Sequence, residues 1–435
     1  MEVIYSEECL KHAPKHEILS GSAKPYFGML SSMDKYRAAL ETIEIFFKES
    51  PQRLTAIKNH LAAAGAFTIR PPADYTMAPI LRVHDTEFVR YLQTAYEEWV
   101  RQGGDPDGVL PECFPHPKLL AQLGGTKAWV ETGKQGNNAL SKAGLYSFDM
   151  STTITGGYWL LSLLPDTWNA AYISCQAALT GAHRLFELSA SSSGETPLGV
   201  YALCRPPGHH AGEDVCGGYC YINNVAVAAQ FLIDYDLEKM GALRIGDASS
   251  ADSAVGVNEP LPKRKVLILD LDFHHGNGTQ SIFYDKPNPL YISLHGTPDY
   301  PWFTGTVHEI GVGAGQGYNI NVPLPKATTT DDDYLSALQA TLDSTSVRNF
   351  DANLVLVSLG LDTWHMDPIA GFGGLKSLAT YWRMGEVIRT AVATRGRPVL
   401  FVQEGGYWIG LLGDMVQNVL DGFMGREMRQ EEERK

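Results

Sequence analysis

The sequence predicts an α/β protein, a three-layer α/β/α sandwich around a central, mostly parallel sheet. The first observation is a set of short, apolar, β-rich runs: "KVLILDLDF" (265–273), "NLVLVSLGLD" (353–362) and "RPVLFVQEGG" (397–406). Runs apolar on both faces suit parallel strands covered on each side by helices. The second is that each run ends in polar or glycine residues, as expected where strands deliver side chains to a site at their carboxyl ends. The third is the helical pattern between them. "INNVAVAAQFLIDY" (222–235) reads as a largely buried helix. "DDDYLSALQATLDST" (331–345) opens on acids suited to a helix N-terminus. "LATYWRMGEVIRTAVATRG" (378–396) reads as a helix with Gly396 as its stop.

Two stretches interrupt this rhythm. Residues 101–155, rich in Gly, Pro, Asn, Ser and Thr, read as a long irregular loop insertion of the functional kind. Residues 244–264 precede a strand and read as a mobile surface insertion away from the chemistry. With no internal repeat and no clean linker, residues 1–435 are expected to form a single catalytic domain.

Composition narrows the function. The chain has 435 residues, 44% of them hydrophobic, enough for a sizeable core. Its 35 Lys+Arg against 49 Asp+Glu leave a net charge of −14. That balance disfavours nucleic-acid binding and is compatible with a small cationic substrate. The six cysteines show no disulfide or zinc-finger spacing and read as reduced thiols. The N-terminus lacks an apolar signal region, and no apolar run approaches the roughly 20 residues of a membrane span. A cytoplasmic protein is the expectation, with the "PKRK" at 262–265 leaving nuclear import open.

The chemistry concentrates in "RPPGHHAGEDVCGGYCYINN" (205–224), "ILDLDFHHGNGTQ" (268–280), "SLGLDTWHMDP" (358–368) and "VQEGGYW" (402–408). On a strand, residues two apart share a face, so Asp270, Asp272 and His274 are expected to converge. Asp362 at the next strand end would complete a one-histidine, two-carboxylate metal site, and three protein ligands leave a catalytic zinc an open position. His275, facing the other way by alternation, reads as structural. "GVGAGQG" (311–317) resembles a dinucleotide loop but runs into an extended segment, so bland loop glycines are expected there.

These segments resemble the zinc-dependent histone deacetylase superfamily, with the arginase/deacetylase fold, and within it the acetylpolyamine amidohydrolases. "LCRPPGHHAG", "GGYCYINNVAVAAQ", "DFHHGNGTQSIFY" and "DTW" followed by "DP" carry the resemblance, which covers nearly the whole chain. It implies one Zn2+ per chain held by Asp272, His274 and Asp362. His209 and His210 would be the paired general base and acid, with Asp270 orienting His209 and Asn277 beside His210. Tyr407 would donate to the developing oxyanion. It also implies a structural K+ or Na+ at Asp270, Asp272, His274, Ser293 and Leu294, and a second near Phe283, Lys286, Pro289 and Tyr318. Gly218, Tyr219, Tyr300 and Ile369 would line a narrow substrate channel. Ile369 stands where the eukaryotic polyamine-selective member has a glutamate gatekeeper. In the bacterial acetylpolyamine enzymes a loop like 101–155 narrows the entrance and makes a homodimer. Its acids here, Asp105, Asp107, Glu112, Glu131 and Asp149, have no position assignable from sequence.

The reading is a zinc-dependent amidohydrolase (a hydrolase of linear amide C–N bonds) that removes acetyl groups from N-acetylated alkylamines, acetylpolyamines first. A protein (histone) lysine deacetylase is the alternative, and a catalytically weak acyl-lysine-binding scaffold the third reading.

Overall fold

Parallel strand pairing organises the molecule. In the computed structural model, which describes residues 1–14, 48–122, 138–156, 166–191, 197–234 and 264–428, eight strands form one sheet. They are β1 (Glu2–Ile4), β2 (Thr68–Arg70), β3 (Gly199–Ala202), β4 (Val266–Asp270), β5 (Leu290–Thr297), β6 (Asn319–Pro325), β7 (Leu354–Leu359) and β8 (Val399–Gln403). Their order is β2-β1-β3-β8-β7-β4-β5-β6, and every described pairing is parallel.

Residue alternation sorts the strand side chains into two cores. Val266, Ile268, Leu356, Leu400 and Val402 pack on one face, Leu267, Leu269, Val355, Val357 and Phe401 on the other. All are essentially inaccessible to solvent. The helices are α1 (Gln52–Ala64), α2 (Thr86–Arg101), α3 (Pro117–Gln122), α4 (Ala139–Leu145), α5 (Asp166–Ser191), α6 (Asn224–Asp234), α7 (Asn277–Phe283), α8 (Asp331–Leu342), α9 (Thr345–Phe350), α10 (Leu378–Thr390) and α11 (Ile409–Met424). Residues of α2, α4, α5 and α6 cover the first face, and those of α1, α8, α10 and α11 the second. This is the expected three-layer sandwich. Among the described residues no helix is long and apolar enough to cross a membrane, and all six cysteines are free thiols.

Three local expectations change. The helix expected over 378–396 ends at Thr390, because Asp343 accepts the Val392 N–H at 3.1 Å and draws the chain out of register. Gly396 belongs to a separate turn at φ 74. The 101–155 segment is only partly irregular. It contains α3 and α4, the latter started by Asn138, whose Oδ1 accepts the Ser141 N–H. An antiparallel bridge between Val109 and Ile154 closes the segment's base. Residues 123–137 of it, including Glu131, lie outside the described residues, as does nearly all of the 244–264 insertion. "GVGAGQG" forms a single 3-10 turn at Gly313–Gly315 before β6, with no phosphate-binding helix.

One buried histidine ties the sheet's carboxyl edge to α2. His84 Nε2 accepts the Asn223 N–H at 2.9 Å, and its Nδ1 faces the Glu213 carbonyl. Burial pushes this imidazole down to about 4. Its unfolded value is higher, near 6.5, so the unfolded chain binds more protons between the two. His84 therefore stabilises fully above pH 6.5 and loses that contribution as pH falls toward 4. At pH 5 the loss is about 2 kcal/mol by linkage. The thermal midpoint should drop from pH 7 to pH 5, and His84→Gln should show a shallower pH dependence from a lower starting point. An unchanged slope in the variant would remove His84 from this role.

Candidate active site

Four adjacent strands, β3, β8, β7 and β4, aim their carboxyl ends at one place. The loop after β3 brings His209 and His210, β4 brings Asp270, β7 leads to Asp362 and β8 to Tyr407. Asp270 lies in register with Ser293 of β5 on one side and Ser358 of β7 on the other.

Asp272 and His274 converge with Asp362, but not by strand alternation. β4 stops at Asp270, and the chain then curls through side-chain-to-backbone turns. Asp270 Oδ1 accepts the Asp272 N–H at 3.2 Å, and Asp272 Oδ1 accepts the His274 N–H at 2.9 Å. Asp362 Oδ1 takes the Phe273 N–H, which locks the curl to β7. Ligand atoms of Asp272, His274 and Asp362 lie within 4.8 Å of one another, all buried. Asp362 Oδ2 sits 2.9 Å from His274 Nδ1 as an ion-pair contact and, among the described residues, has no partner in hydrogen-bond geometry. A Cβ on Gly405 would meet both carboxylates, at 2.6 Å and 2.7 Å, so the backbone is packed against the cluster.

The charges in this cluster call for a cation. Burial, then the neighbouring Asp272, pushes the Asp362 carboxyl up. Burial opposes ionisation of Asp272 too, but His209 and His274 outweigh it and hold that carboxyl low. Two oxygens and an imidazole nitrogen, one oxygen without a donor, form a donor set that fits zinc. A second cluster, His209, Cys220 and Glu404, also lies within 4.8 Å, but its atoms are engaged. Glu404 Oε2 accepts the N–H groups of Gly208 and His209, Oε1 accepts Ser358 Oγ, and Cys220 Sγ donates to the Gly218 carbonyl.

The two histidines are alike in sequence and unlike in setting. His209 Nδ1 faces Asp270 Oδ2 at 3.1 Å, and His210 Nδ1 faces Asn277 Oδ1 at 2.7 Å. Burial lowers His209, yet Asp272 and Asp270 outweigh it and push the imidazole up to about 10. Burial, then the charges of His209 and His274, drives His210 well below its ordinary value. His275 turns away, with Nδ1 on Thr304 and Nε2 on Gln280, as a structural residue does.

Tyr407 and Tyr219 pack edge to face at 6.0 Å, with Ile369 against them. Tyr300 lies edge-on to His210 at 5.0 Å. Gly218, at φ 55, approaches His210 so closely that a Cβ would stand 2.2 Å from the ring. Of the expected channel residues, Gly218 and Tyr300 are thus brought to His210, and Tyr219 and Ile369 to Tyr407. Ser293 and Leu294 lie on β5 beside Asp270. Of the residues expected at a remote cation, Phe283 and Lys286 share a turn through a backbone bond. Tyr318 gives its carbonyl to Tyr291 N–H, and Pro289 follows a cis bond at Asn288.

Sequence reasoning gave no role to Arg53, Glu404 or Asp367 and left Asp149 unplaced among the loop acids. Arg53, fully buried, donates to the carbonyls of Gly406 and Glu404 and holds its guanidinium 4.6 Å from the Tyr407 ring centroid. Glu404 fastens the backbone of His209 as described. Asp367 accepts the Tyr407 N–H at 2.7 Å and those of Ile369 and Ala370. Asp149 accepts the Tyr300 hydroxyl at 2.5 Å. An acid followed two residues later by serine, "DMS", signals a local turn at Asp149; for Arg53 the sequence holds no signal.

A parallel α/β sheet that gathers two carboxylates, a histidine and a differentiated histidine pair at its carboxyl edge is the architecture of a metal-dependent hydrolase. The comparisons specify which. The family model described as histone deacetylase domain matches residues 47–243 and 249–423. Acetylpolyamine amidohydrolase 2 of Pseudomonas aeruginosa is 36% identical over 427 residues, 98% of this chain and 99% of that protein. Acetylpolyamine amidohydrolase of Mycoplana ramosa is 33% identical over 428 residues, 98% of this chain and all of that protein (100%). The crystal structure of an acetylpolyamine aminohydrolase from Burkholderia pseudomallei superposes with a TM-score of 0.71 at 27% identity, covering 97% of this chain and 98% of that one. The chain belongs to the histone deacetylase family of zinc-dependent deacetylases.

The geometry makes the ligand set testable. Asp362→Asn removes a charge from the cluster and should cost more zinc affinity than the roughly 10–100-fold lost with an outer partner. Metal analysis after dialysis against a graded chelator reads it. Full zinc retention at wild-type affinity would take Asp362 out of the set.

Proposed function

We propose that this protein is a zinc-dependent amidohydrolase that removes acetyl groups from N-acetylated alkylamines, with acetylpolyamines as its substrates. The observation that carries the reading is the histidine pair, one ring on Asp270 and the other on Asn277, beside the Asp272–His274–Asp362 cluster; Tyr219 and Tyr300 would wall the substrate channel. The near-full-length relatives named acetylpolyamine amidohydrolase support the substrate class.

Asp272, His274 and Asp362 would hold the zinc, which supplies Lewis-acid polarisation of the amide carbonyl and lowers the pKa of the attacking water. In place of the base-and-acid division expected for the pair, both proton transfers fall to His210: it donates Nδ1–H to the Asn277 side-chain oxygen, which leaves its Nε2 lone pair to accept the water's proton. His209, paired with the carboxylate of Asp270, keeps its proton and stabilises negative charge developing nearby. The Tyr407 hydroxyl donates to the carbonyl oxygen as it becomes an oxyanion. His210 then returns its proton to the departing amine, which leaves with acetate as the second product. A structural K+ or Na+ at Asp270, Asp272, His274, Ser293 and Leu294 belongs to the same reading, as does a second at Phe283, Lys286, Pro289 and Tyr318.

Three measurements test this. kcat/KM on N-acetylputrescine and acetylspermidine should exceed that on acetyllysine peptides, and a strong peptide preference would assign the protein to the lysine deacetylases. Tyr407→Phe should lower kcat by about 10²–10³-fold with little change in KM, the cost of losing one oxyanion donor; near-normal turnover with zinc bound would exclude that role. Replacing K+ by a bulky cation such as choline should lower the thermal midpoint of the zinc-loaded enzyme, and an unchanged midpoint would argue against a resident monovalent ion.

A further inference from the structure

Behind the channel wall, one carboxylate holds both aromatic sides. Asp149 Oδ1 accepts the Ser151 N–H at 2.9 Å and the Ser151 hydroxyl at 2.6 Å. Its Oδ2 accepts the Gly218 N–H at 3.1 Å and the Tyr300 hydroxyl at 2.5 Å. Four donors fill the accepting capacity of an ionised carboxylate. Ser151 Oγ in turn accepts the Tyr219 N–H at 3.2 Å. One wall, Tyr300, is thus held directly, and the other, Tyr219, through a serine.

Both walls need such a restraint. Gly218 and Tyr219 sit at φ 55 and φ 65, between Gly217 and Cys220, which exchange both backbone hydrogen bonds. Two consecutive left-handed residues make a tight primed turn, a conformation that strains a side chain such as tyrosine. Asp149 and Ser151 take the two N–H groups of that turn, at Gly218 and Tyr219. Tyr300 lies edge-on to His210 and, at 5.9 Å, to His274, and stacks on Phe148 at 6.2 Å. A shift of its ring would open the channel directly over the histidines. The charge-assisted bond from its hydroxyl also enriches the ring face that an alkylammonium would pass.

We propose that Asp149 is the specificity-determining positioning residue of this site: it clamps Tyr300 and the Gly218–Tyr219 turn at a fixed separation, so that the channel grips an unbranched aminoalkyl chain. The proposal rests on the reading of Tyr219 and Tyr300 as channel walls. In Asp149→Asn, whichever way the amide turns, its NH2 meets two donors, at Ser151 or at Gly218 and Tyr300. Tyr300→Phe removes only the hydroxyl bond.

The test compares zinc-loaded wild type, Asp149→Asn, Tyr300→Phe and the double variant, with thermal midpoint and zinc content as controls. Two hydroxamates are the probes. Acetohydroxamate reaches only the channel floor, and 7-aminoheptanohydroxamate fills it. Asp149→Asn should weaken the long probe by about tenfold or more and leave the short one within about twofold. The double variant should be no worse than Asp149→Asn alone, because the two residues act through one bond. Equal losses on both probes, no loss on the long one, or additive losses would each overturn the proposal. Should Asp149→Asn fail to fold, Tyr300→Phe decides, since an unchanged long-to-short affinity ratio there also overturns it. kcat/KM is measured in parallel on whichever acetylated amine the wild type cleaves best. A wild type that prefers peptides therefore sinks the polyamine reading without concealing the role of Asp149.

Discussion

Four carboxylates buried side by side at one sheet edge set the terms for the rest of the site. Asp270, Asp272, Asp362 and Glu404 are all inaccessible to solvent, and an unpaired buried charge is too costly to persist. Each is therefore caged. Asp270 takes His209, the Tyr291 hydroxyl and the Asp272 N–H. Asp272 takes the N–H groups of His274 and Gly405. Glu404 takes two N–H groups and a serine hydroxyl. Only Asp362 Oδ2 is left without a donor. A cation meeting that oxygen would complete the cage, so metal binding and local structure would be one problem.

The same electrostatics separate two adjacent histidines. Sequence offers "HH"; the fold gives one a carboxylate and the other an amide. Asp272 and Asp270 push the His209 imidazole up against its burial, while burial and then the neighbouring His209 and His274 push His210 down. Two groups whose environments drive them apart can divide a proton-transfer task. The division depends on main-chain precision, because Glu404 holds the Gly208–His209 backbone while Gly218 presses on the His210 ring. Arg53 serves the opposite side by filling the carbonyls of Glu404 and Gly406 beside Tyr407.

The sheet and the floor of the site were legible in sequence because both depend on local signals. Runs such as "KVLILD" state their burial by composition, and the residues of the candidate metal cluster lie in motifs a few residues long. The curl after Asp270 was misread as continued strand, since alternation describes Asp270, Asp272 and His274 as well as the turns do. Only the hydrogen bonds from Asp272 N–H and His274 N–H decide. Gly396 looked like a helix stop, but Asp343, just past the end of α8, meets the chain at Val392 first. The roles of Arg53, Glu404, Asp367 and Asp149 were hidden for a different reason. Asp149 and Tyr300 are 151 residues apart, and Glu404 and Gly208 are 196 apart. No local pattern encodes such a pairing.

Floor and wall also differ in how they can change. The floor is built from strand ends and the locked turn after β4, where moving one residue moves its neighbours. The wall comes from loops and can be retuned one residue at a time. Asp367 links the two, for its carboxylate holds both the Tyr407 backbone and the Ile369 turn. Ile369 itself packs with Tyr219 and Tyr407 in a small apolar group. An acid at that position would place a charge against two aromatic faces and strain the tyrosine beside the reacting carbonyl. On the proposed polyamine reading, a chain with isoleucine there would need other means to recognise a cationic tail. A carboxylate set behind Tyr300 meets that requirement, because it adds negative charge to the wall without putting an ion among the apolar side chains.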